Sequence, residues 1–592
     1  MKTGQKLIRF GLWVLLLALS VTAQAQFTFT TNNGAITITG YTGSGGDVVF
    51  PATTNGYPVT GIGDGESPVL NSTSITNVTI PGSVTSIADI AFYGCFKLAN
   101  LTLPNNLTNI GAGAFNSCWS LTNVVIPASV TSIGDYAFVY CSNLTSIVVA
   151  DANQNYSSAD GVLFNKDKTV LMQFPFGKAG SYSIPSTVTN LADEAFGIND
   201  YGDPYTFRSI YSCYGLTNIN VPSSLVNIGD HAFSHCTGLA SVTLINGVAS
   251  IGTNAFSWCT NLTGITIPGS VTSIGDLAFY YSGLTEITIP GSVTNLGLGA
   301  FAVCSSLTNV TLQEGVASIG EAGFNFCTNL TSIALPDSLT SVGERAFWFC
   351  TGLTNATISG NVASIGDLAF SGCASLMNIN VSADNTLFKS VDGVLFNGDQ
   401  TILIQFPGGR GESYRVPNGV TNIGASAFGS YIPAGSEGLF LFDYPSSCAS
   451  LTNIIFPATV TAIGDEAFAR LNNLTSVYFE GDAPVGEGDL NSFSTIYYLP
   501  GTIGWDWTFW NHKLLWLPSM QADGASFGIQ TNEFGFTLNW ASGQTVVVEA
   551  CTNLVNLDWQ PVQTNLLTTG SAYFSDSQWT NYPGRFYRLR SP

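Results

Sequence analysis

Leu121-Thr-Asn-Val-Val-Ile-Pro127, followed by Val130-Thr-Ser-Ile-Gly134, Ala137-Phe138 and Cys141, forms one period of a repeating chain, and the next period opens at Leu144. Aligning on Ala-Phe and its near matches places phenylalanines at 92, 115, 138, 196, 233, 256, 279, 301, 324, 347, 370, 428 and 468, most of them 22 or 23 residues apart. A fixed period of this length means stacked coils, each burying its apolar face only against its neighbours. Leu121, Val124 and Ile126 follow the spacing of a strand with inward residues, and Pro127 ends its ladder. Val130 and Ile133 mark a second short extended piece. The Gly-x-x-Ala-Phe-x-x-Cys stretch has room for a turn or one short helical loop, with Phe138 inside. The expected fold is mainly β: a leucine-rich-repeat-like solenoid of about 23-residue coils with a phenylalanine column in its interior.

Two breaks in the period share one design. Asp160-Gly-Val-Leu-Phe-Asn165 recurs as Asp392-Gly-Val-Leu-Phe-Asn397, and Gln173-Phe-Pro175 recurs as Gln405-Phe-Pro407. Apolar runs on either side of Asn165–Lys168 predict a β-hairpin insert in each copy. Each insert is followed by a polar, aromatic loop, at 197–212 and 429–447. Such loops are surface features by default.

The ends read differently. Lys2, Lys6 and Arg9 precede an apolar run from Phe10 to Leu19 and then Ala23-Gln24-Ala25, the pattern of a signal peptide over 1–25. No other stretch approaches the length of a transmembrane segment. The resulting organisation is a solenoid over 26–477 with an N-terminal cap to about 70, a C-terminal cap over 478–518, and a small β-sandwich over 519–592. Strand-like runs at Phe534–Trp540, Thr545–Glu549, Ala572–Phe574 and Arg585–Leu589 carry the last assignment. Arg585, Arg588 and Arg590 in the final strand raise a sorting or surface-attachment role, against an ordinary strand with a basic outer face.

The chain of 592 residues is 9% charged, with 38 acidic and 17 basic residues and a formal net charge of -21. Nucleic acid is a poor partner, because phosphate backbones need clustered Lys and Arg. Nine of the twelve cysteines sit three residues after a repeat phenylalanine, and Ser282 and Leu471 occupy that column in other coils. A column that accepts serine or leucine reads as small buried hydrophobes rather than bridges. His231 and His235 stand four apart beside Cys236, as a metal pair would, but they fall where Tyr136, Leu277, Tyr140 and Trp258 stand in other coils. Asp151-Ala-Asn153-Gln-Asn155 starts like a calcium loop but lacks its sixth-position glycine and twelfth-position glutamate. No metal is expected, and no cofactor, since Gly43-Ser-Gly-Gly46 precedes no lysine-bearing helix.

Catalysis needs a nucleophile with a base, paired carboxylates or a metal at one singular place. Near-equivalent coils offer none, and the recurring carboxylate of Ile-Gly-Asp, as at Asp135, Asp230 and Asp276, reads as turn chemistry. A non-enzyme is therefore expected. One outward column of the leading strands is rich in threonine: Thr243, Thr266, Thr288, Thr311 and Thr357. It is either β propensity on a solvated sheet or a weakly polar recognition strip for a macromolecule.

Leu-Thr-Asn-x-x-Ile-Pro, Val-Thr-Ser-Ile-Gly-Asp-x-Ala-Phe-x-x-Cys and the Asp-Gly-Val-Leu-Phe-Asn insert resemble the BspA-like leucine-rich-repeat family of bacterial surface and secreted proteins, over about residues 27–518. Tyr497-Tyr-Leu-Pro-Gly501 and Gly504-Trp505 are similar to the end cap of such proteins. Pro127-Ala128-Ser129 stands where an ordinary leucine-rich repeat places its asparagine or cysteine. The resemblance implies a secreted or cell-surface protein that adheres to or recognises a protein or glycan, with no catalytic residues to carry over. The alternative is a structural envelope or matrix component without a discrete ligand.

Overall fold

The computed structural model describes residues 26–70, 74–198, 213–429, 448–486, 494–505, 513–522, 524–531, 533–554 and 558–591. The expected signal peptide and nearly all of the loops 197–212 and 429–447 lie outside them. The chain divides into two compact units. One is chiefly Met1–Cys373 with Val381–Asn385, and the other is chiefly Ala374–Asn380, Thr386–Ala434 and Phe442–Pro592.

In the first unit, Phe27–Asn32 and Ala35–Tyr41 form an antiparallel hairpin at the start of the stack. Ala35–Tyr41 then pairs in parallel with Tyr57–Ile62, from which the ladder runs through the two-residue strands Ser86–Ile87, Asn109–Ile110 and Ser132–Ile133. A second set of strands carries the Leu-x-x-Val-x-Ile positions. Asn123–Ile126 pairs in parallel with Ser146–Val149, and Ser241–Thr243 with Gly264–Thr266, always with equivalent repeat positions opposite each other. Equivalent positions align because a shift by one residue would turn Val124 and Ile126 out of the core, where they are 1% and 0% exposed.

The phenylalanine column is continuous over long stretches. Phe92, Phe115 and Phe138 stack with centroids 5.1 and 5.6 Å apart and planes within 8°. Phe256, Phe279, Phe301, Phe324 and Phe347 continue in the same manner at 5.0–5.6 Å. A coil rise of about 4.8 Å leaves parallel rings at offset-stacking distance. Glycine before the recurring Asp is a steric requirement: a Cβ on Gly134 would lie 2.4 Å from the backbone nitrogen of Ala112 in the preceding coil.

The Ala-Phe-x-x-Cys stretch is a series of turns, not a helical loop. Among the described residues helical conformation is confined to the 3-10 turn Trp579–Asn581 and to Trp505, both outside these stretches. Each turn uses two left-handed residues, one before Ala-Phe and one before Cys, as at Tyr136 (φ 62°) and Tyr140 (φ 60°) or His231 (φ 53°) and His235 (φ 60°). Side chains other than glycine are strained there, so the coil closes against a local cost that stacking outweighs.

The insert at 156–173 has one strand more than the expected hairpin. Tyr156–Ala159, Val162–Asn165 and Val170–Gln173 form an antiparallel meander whose last strand rejoins the stack in parallel with Asn190–Leu191. In the second unit Phe388–Val391, Val394–Asn397 and Ile402–Gln405 repeat it. There the leading strands Asn453–Phe456, Ser476–Phe479, Thr495–Tyr498 and Lys513–Leu515 pair in parallel. Glu533–Asn539 with its neighbours and Gln544–Cys551 with its neighbours then form two small antiparallel sheets, and Phe536, Leu538, Val546, Val548, Leu567 and Phe574 form their common apolar cluster.

Candidate functional site

Alternation on the leading strands settles which residues face out. Val242 and Ile265 turn inward, so Thr243 and Thr266 turn outward, opposite each other in adjacent parallel strands. Thr288 and Thr311 are likewise paired and exposed, and Thr357 stands exposed opposite Ala334. At about 4.8 Å per coil these residues make a narrow, uncharged column. Register extends it toward the N-terminus to Thr79, whose coil carries Ala91-Phe92, and to Val49, whose coil has no Ala-Phe marker. Val49, Val125 and Val148 are 62%, 56% and 44% exposed, so the column has an aliphatic part as well as its threonines.

In the second unit the same strand position becomes aromatic. Arg415, Ile455, Tyr478, Tyr497 and Leu514 follow one another in register. The Tyr478 and Tyr497 rings stack at 4.7 Å, and Trp516 tilts against Tyr478 at 4.7 Å. Arg415 is held by a two-oxygen contact with Glu480 at 2.7 and 2.8 Å.

The other residues singled out in the sequence have structural partners. The Cys118, Cys141, Cys259, Cys327, Cys350 and Cys373 thiols each donate to the carbonyl of the repeat phenylalanine in the preceding coil, at 3.1–3.4 Å. All twelve cysteines are free and buried. Serine fits the column at 282 because its hydroxyl also takes part, 3.2 Å from the Cys304 sulfur. Burial pushes the Cys95, Cys141, Cys373 and Cys448 thiols up to about 12, which leaves no thiolate for chemistry at neutral pH.

His231 and His235 are 8% and 4% exposed. The His235 ring stacks on Trp258 at 5.5 Å and 8°, while the Cys236 thiol is committed to the Phe196 carbonyl at 3.5 Å. Burial first, and then the neighbouring His231, lower His235 to about 4. Asn153 of the calcium-like stretch is turned inward. Its amide donates to the carbonyls of Pro127 and Val130, and its oxygen accepts from the N–H groups of Asn155 and Tyr156, at 2.8–2.9 Å. Asn385 repeats the two donations to Ser359 and Val362. The recurring Asp links coils: Asp89, Asp193, Asp230 and Asp276 accept the N–H of the equivalent residue one coil on, at 2.7–2.9 Å.

At the C-terminus, Glu549 accepts from Arg588 and Arg590 at 2.7 and 2.9 Å, and Arg585 lies 3.0 Å from Asp576. The three terminal arginines are thus paired inside their own module. No helix among the described residues is long and apolar enough to cross a membrane.

A family model described as a BspA type leucine rich repeat region matches in six copies, over residues 66–199, 204–304, 272–401 and 442–495. Among solved structures the chain is similar in fold to a leucine-rich repeat protein from Bacteroides ovatus, at 22% identity over 80% of this chain and 98% of that one, with a TM-score of 0.38. A leucine rich cell surface protein from Faecalibacterium prausnitzii is similar at 24% identity over 77% and 94% of the two chains, with a TM-score of 0.36. The pneumococcal vaccine antigen PcpA is similar at 19% identity over 61% and 95%, with a TM-score of 0.31. No curated protein matches the chain. A repeat matched over most of its length, with the coil geometry that repeat requires, makes this chain a member of the BspA-type leucine-rich-repeat family.

Proposed function

We propose that the protein is exported to the bacterial surface or beyond it, and there binds a protein or glycan without catalysing a reaction. The observation that carries this reading is the exposed strand column: Thr243, Thr266, Thr288, Thr311 and Thr357 present hydroxyls outward at equivalent positions of three short parallel sheets, and Val125 and Val148 are exposed at the same position of a fourth. Such a surface costs little to desolvate, and its rigid backbone loses little entropy on binding. Inserted loops at 197–212 and 429–447 add contact surface of the kind that carries recognition on repeat scaffolds. The BspA-type family and a relative described as a cell surface protein support the address, as does the signal-peptide pattern of residues 1–25.

Mature protein incubated with glycan arrays and with host and envelope extracts tests the reading. Saturable binding that is lost when Thr266, Thr288 and Thr311 are changed together to Lys, or when both loops are deleted, is the expected result. Binding to nothing favours a structural envelope or matrix component. We also propose that 519–592 serves attachment; unchanged secretion and surface retention after its deletion removes that assignment.

A further inference from the structure

Turns are joined along the stack by a regular ladder. In each regular coil, the N–H of the left-handed residue before Ala-Phe and the N–H of the phenylalanine itself donate to carbonyls of the next coil. Asn254 donates to Asp276 and Phe256 to Ala278, and Leu277 donates to Leu298 and Phe279 to Ala300, all at 2.7–2.9 Å. Gly113 and Phe115 donate in the same way to Asp135 and Ala137. At the next level the ladder stops. The insert supplies strands there but no turn, and its Phe174 N–H goes to the Ala195 carbonyl of the following coil. Among the described residues the N–H groups of Tyr136 and Phe138 have no backbone acceptor, as is also true of Leu368 and Phe370 before the second insert, and the Asp135 carboxylate receives no N–H from a following coil, unlike Asp89, Asp230 and Asp276.

The missing rung leaves a cavity of about 380 Å³. Asp135, Tyr136 and Phe138 line it on one side, Asp193 and Glu194 on the other, and Met172 belongs to the apolar part of its wall.

The groups left over define the ligand. Two N–H donors two residues apart match alternate carbonyls of a peptide, as they do in every regular coil. A free anion is disfavoured by three carboxylates, and the lining residues include no cation. The same negative field shows at Tyr136, whose phenol is raised by Glu194 first, then by burial, Asp135 and Asp193, and by its hydrogen bond to the Glu194 carboxylate across the notch. The molecule itself shows how a basic side chain meets an acidic turn: Arg345 reaches Glu321 of the preceding coil at 3.5 Å and its neighbour Glu344 at 2.9 Å. We propose that the notch between the Tyr136 and Glu194 turns binds a short peptide segment bearing a basic side chain, whose backbone carbonyls complete the missing rung. This site lies on the turns, not on the strand column, and stands or falls separately from it.

Two measurements on the mature protein test it. In the free protein, hydrogen exchange resolved to single amides should find Tyr136 and Phe138 at least tenfold faster than Asn254 and Phe256. Calorimetric titration with N-acetyl-Gly-Glu-Arg-Ala-amide, the sequence of residues 343–346, should show saturable 1:1 binding that slows the Tyr136 and Phe138 amides. Binding should weaken at least tenfold for the peptide with Glu in place of Arg, and for Asp135→Lys. Because the exposed Asp135 bonds no following coil, that variant should keep the wild-type unfolding midpoint. Equal binding of the two peptides, no binding of either, or free-state protection of Tyr136 and Phe138 equal to that of Asn254 and Phe256 overturns the proposal.

Discussion

His235 gives this protein an acid-sensitive coil. The ring is 4% exposed, stacked on Trp258 and held at about 4, mainly because burial strips water from its charged form. In the unfolded chain it titrates at the ordinary 6.5. Between these values the unfolded state binds a proton that the folded state refuses, so stability falls as pH drops through 6.5 and levels off below about 4. The full effect is about 3 kcal/mol, of which about 2 kcal/mol has been lost by pH 5. His231 shifts in the same direction, with burial as the first cause, and adds to the loss. Many carboxylates titrate nearby, so the measurement is a difference. His235→Phe places there the residue found before Cys327 and Cys350. Denaturant titrations at pH 7.5 and pH 5.0, followed by tryptophan fluorescence, should show the variant losing about 2 kcal/mol less than wild type. Parallel losses in the two proteins would refute the assignment of a buried neutral imidazole.

Phe256→Ala, in the middle of an unbroken ring stack, should cost about 3–5 kcal/mol by denaturant unfolding, with the damage centred on its own and adjacent coils. Ala322→Gly, at φ 56°, should be neutral or stabilising by up to about 1 kcal/mol, whereas Gly299→Ala, at the equivalent position with φ 57°, should destabilise by about as much because a Cβ is strained in that left-handed conformation and the end of the Leu277 side chain must also move aside. Thiol titration with a chromogenic disulfide should label almost nothing in the native protein and all twelve cysteines after unfolding without reductant. Fewer than half labelled would mean that the column is bridged. Asn153→Ala should cost about 1–3 kcal/mol by leaving the Pro127 and Val130 carbonyls without donors.

Much of the architecture is legible because each coil repeats the same local solution. Leu121, Val124 and Ile126 alternate as an inward strand face must, and Phe138 and Cys141 recur at fixed offsets because each touches its own copy one coil away. The strand Tyr156–Ala159 escapes such reading, since Tyr-Ser-Ser-Ala shows no apolar alternation and its pairing comes from the neighbouring Val162–Asn165. Gln560–Leu567 escapes similarly: it is polar at most positions and gains strand form by pairing with Gln544–Cys551. The left-handed turn residues were hidden because Tyr, His, Leu and Trp occupy them, none of which advertises positive φ. Placing the threonine column on the surface required only strand alternation, while its extension to Val49 required the pairing register.

Repetition, inward alternation and the Ala-Phe marker are local properties, and from them the sequence alone determined a BspA-type solenoid of stacked coils, its interior columns and its two duplicated inserts. Hydrogen-bond partners along the stack lie a whole coil apart, so whether a donor finds its acceptor depends on what occupies the next level. Only the tertiary structure could show that the cysteines bond phenylalanine carbonyls, that Asn153 is consumed by backbone, and that the turn of Phe138 meets an insert level with no turn to receive it.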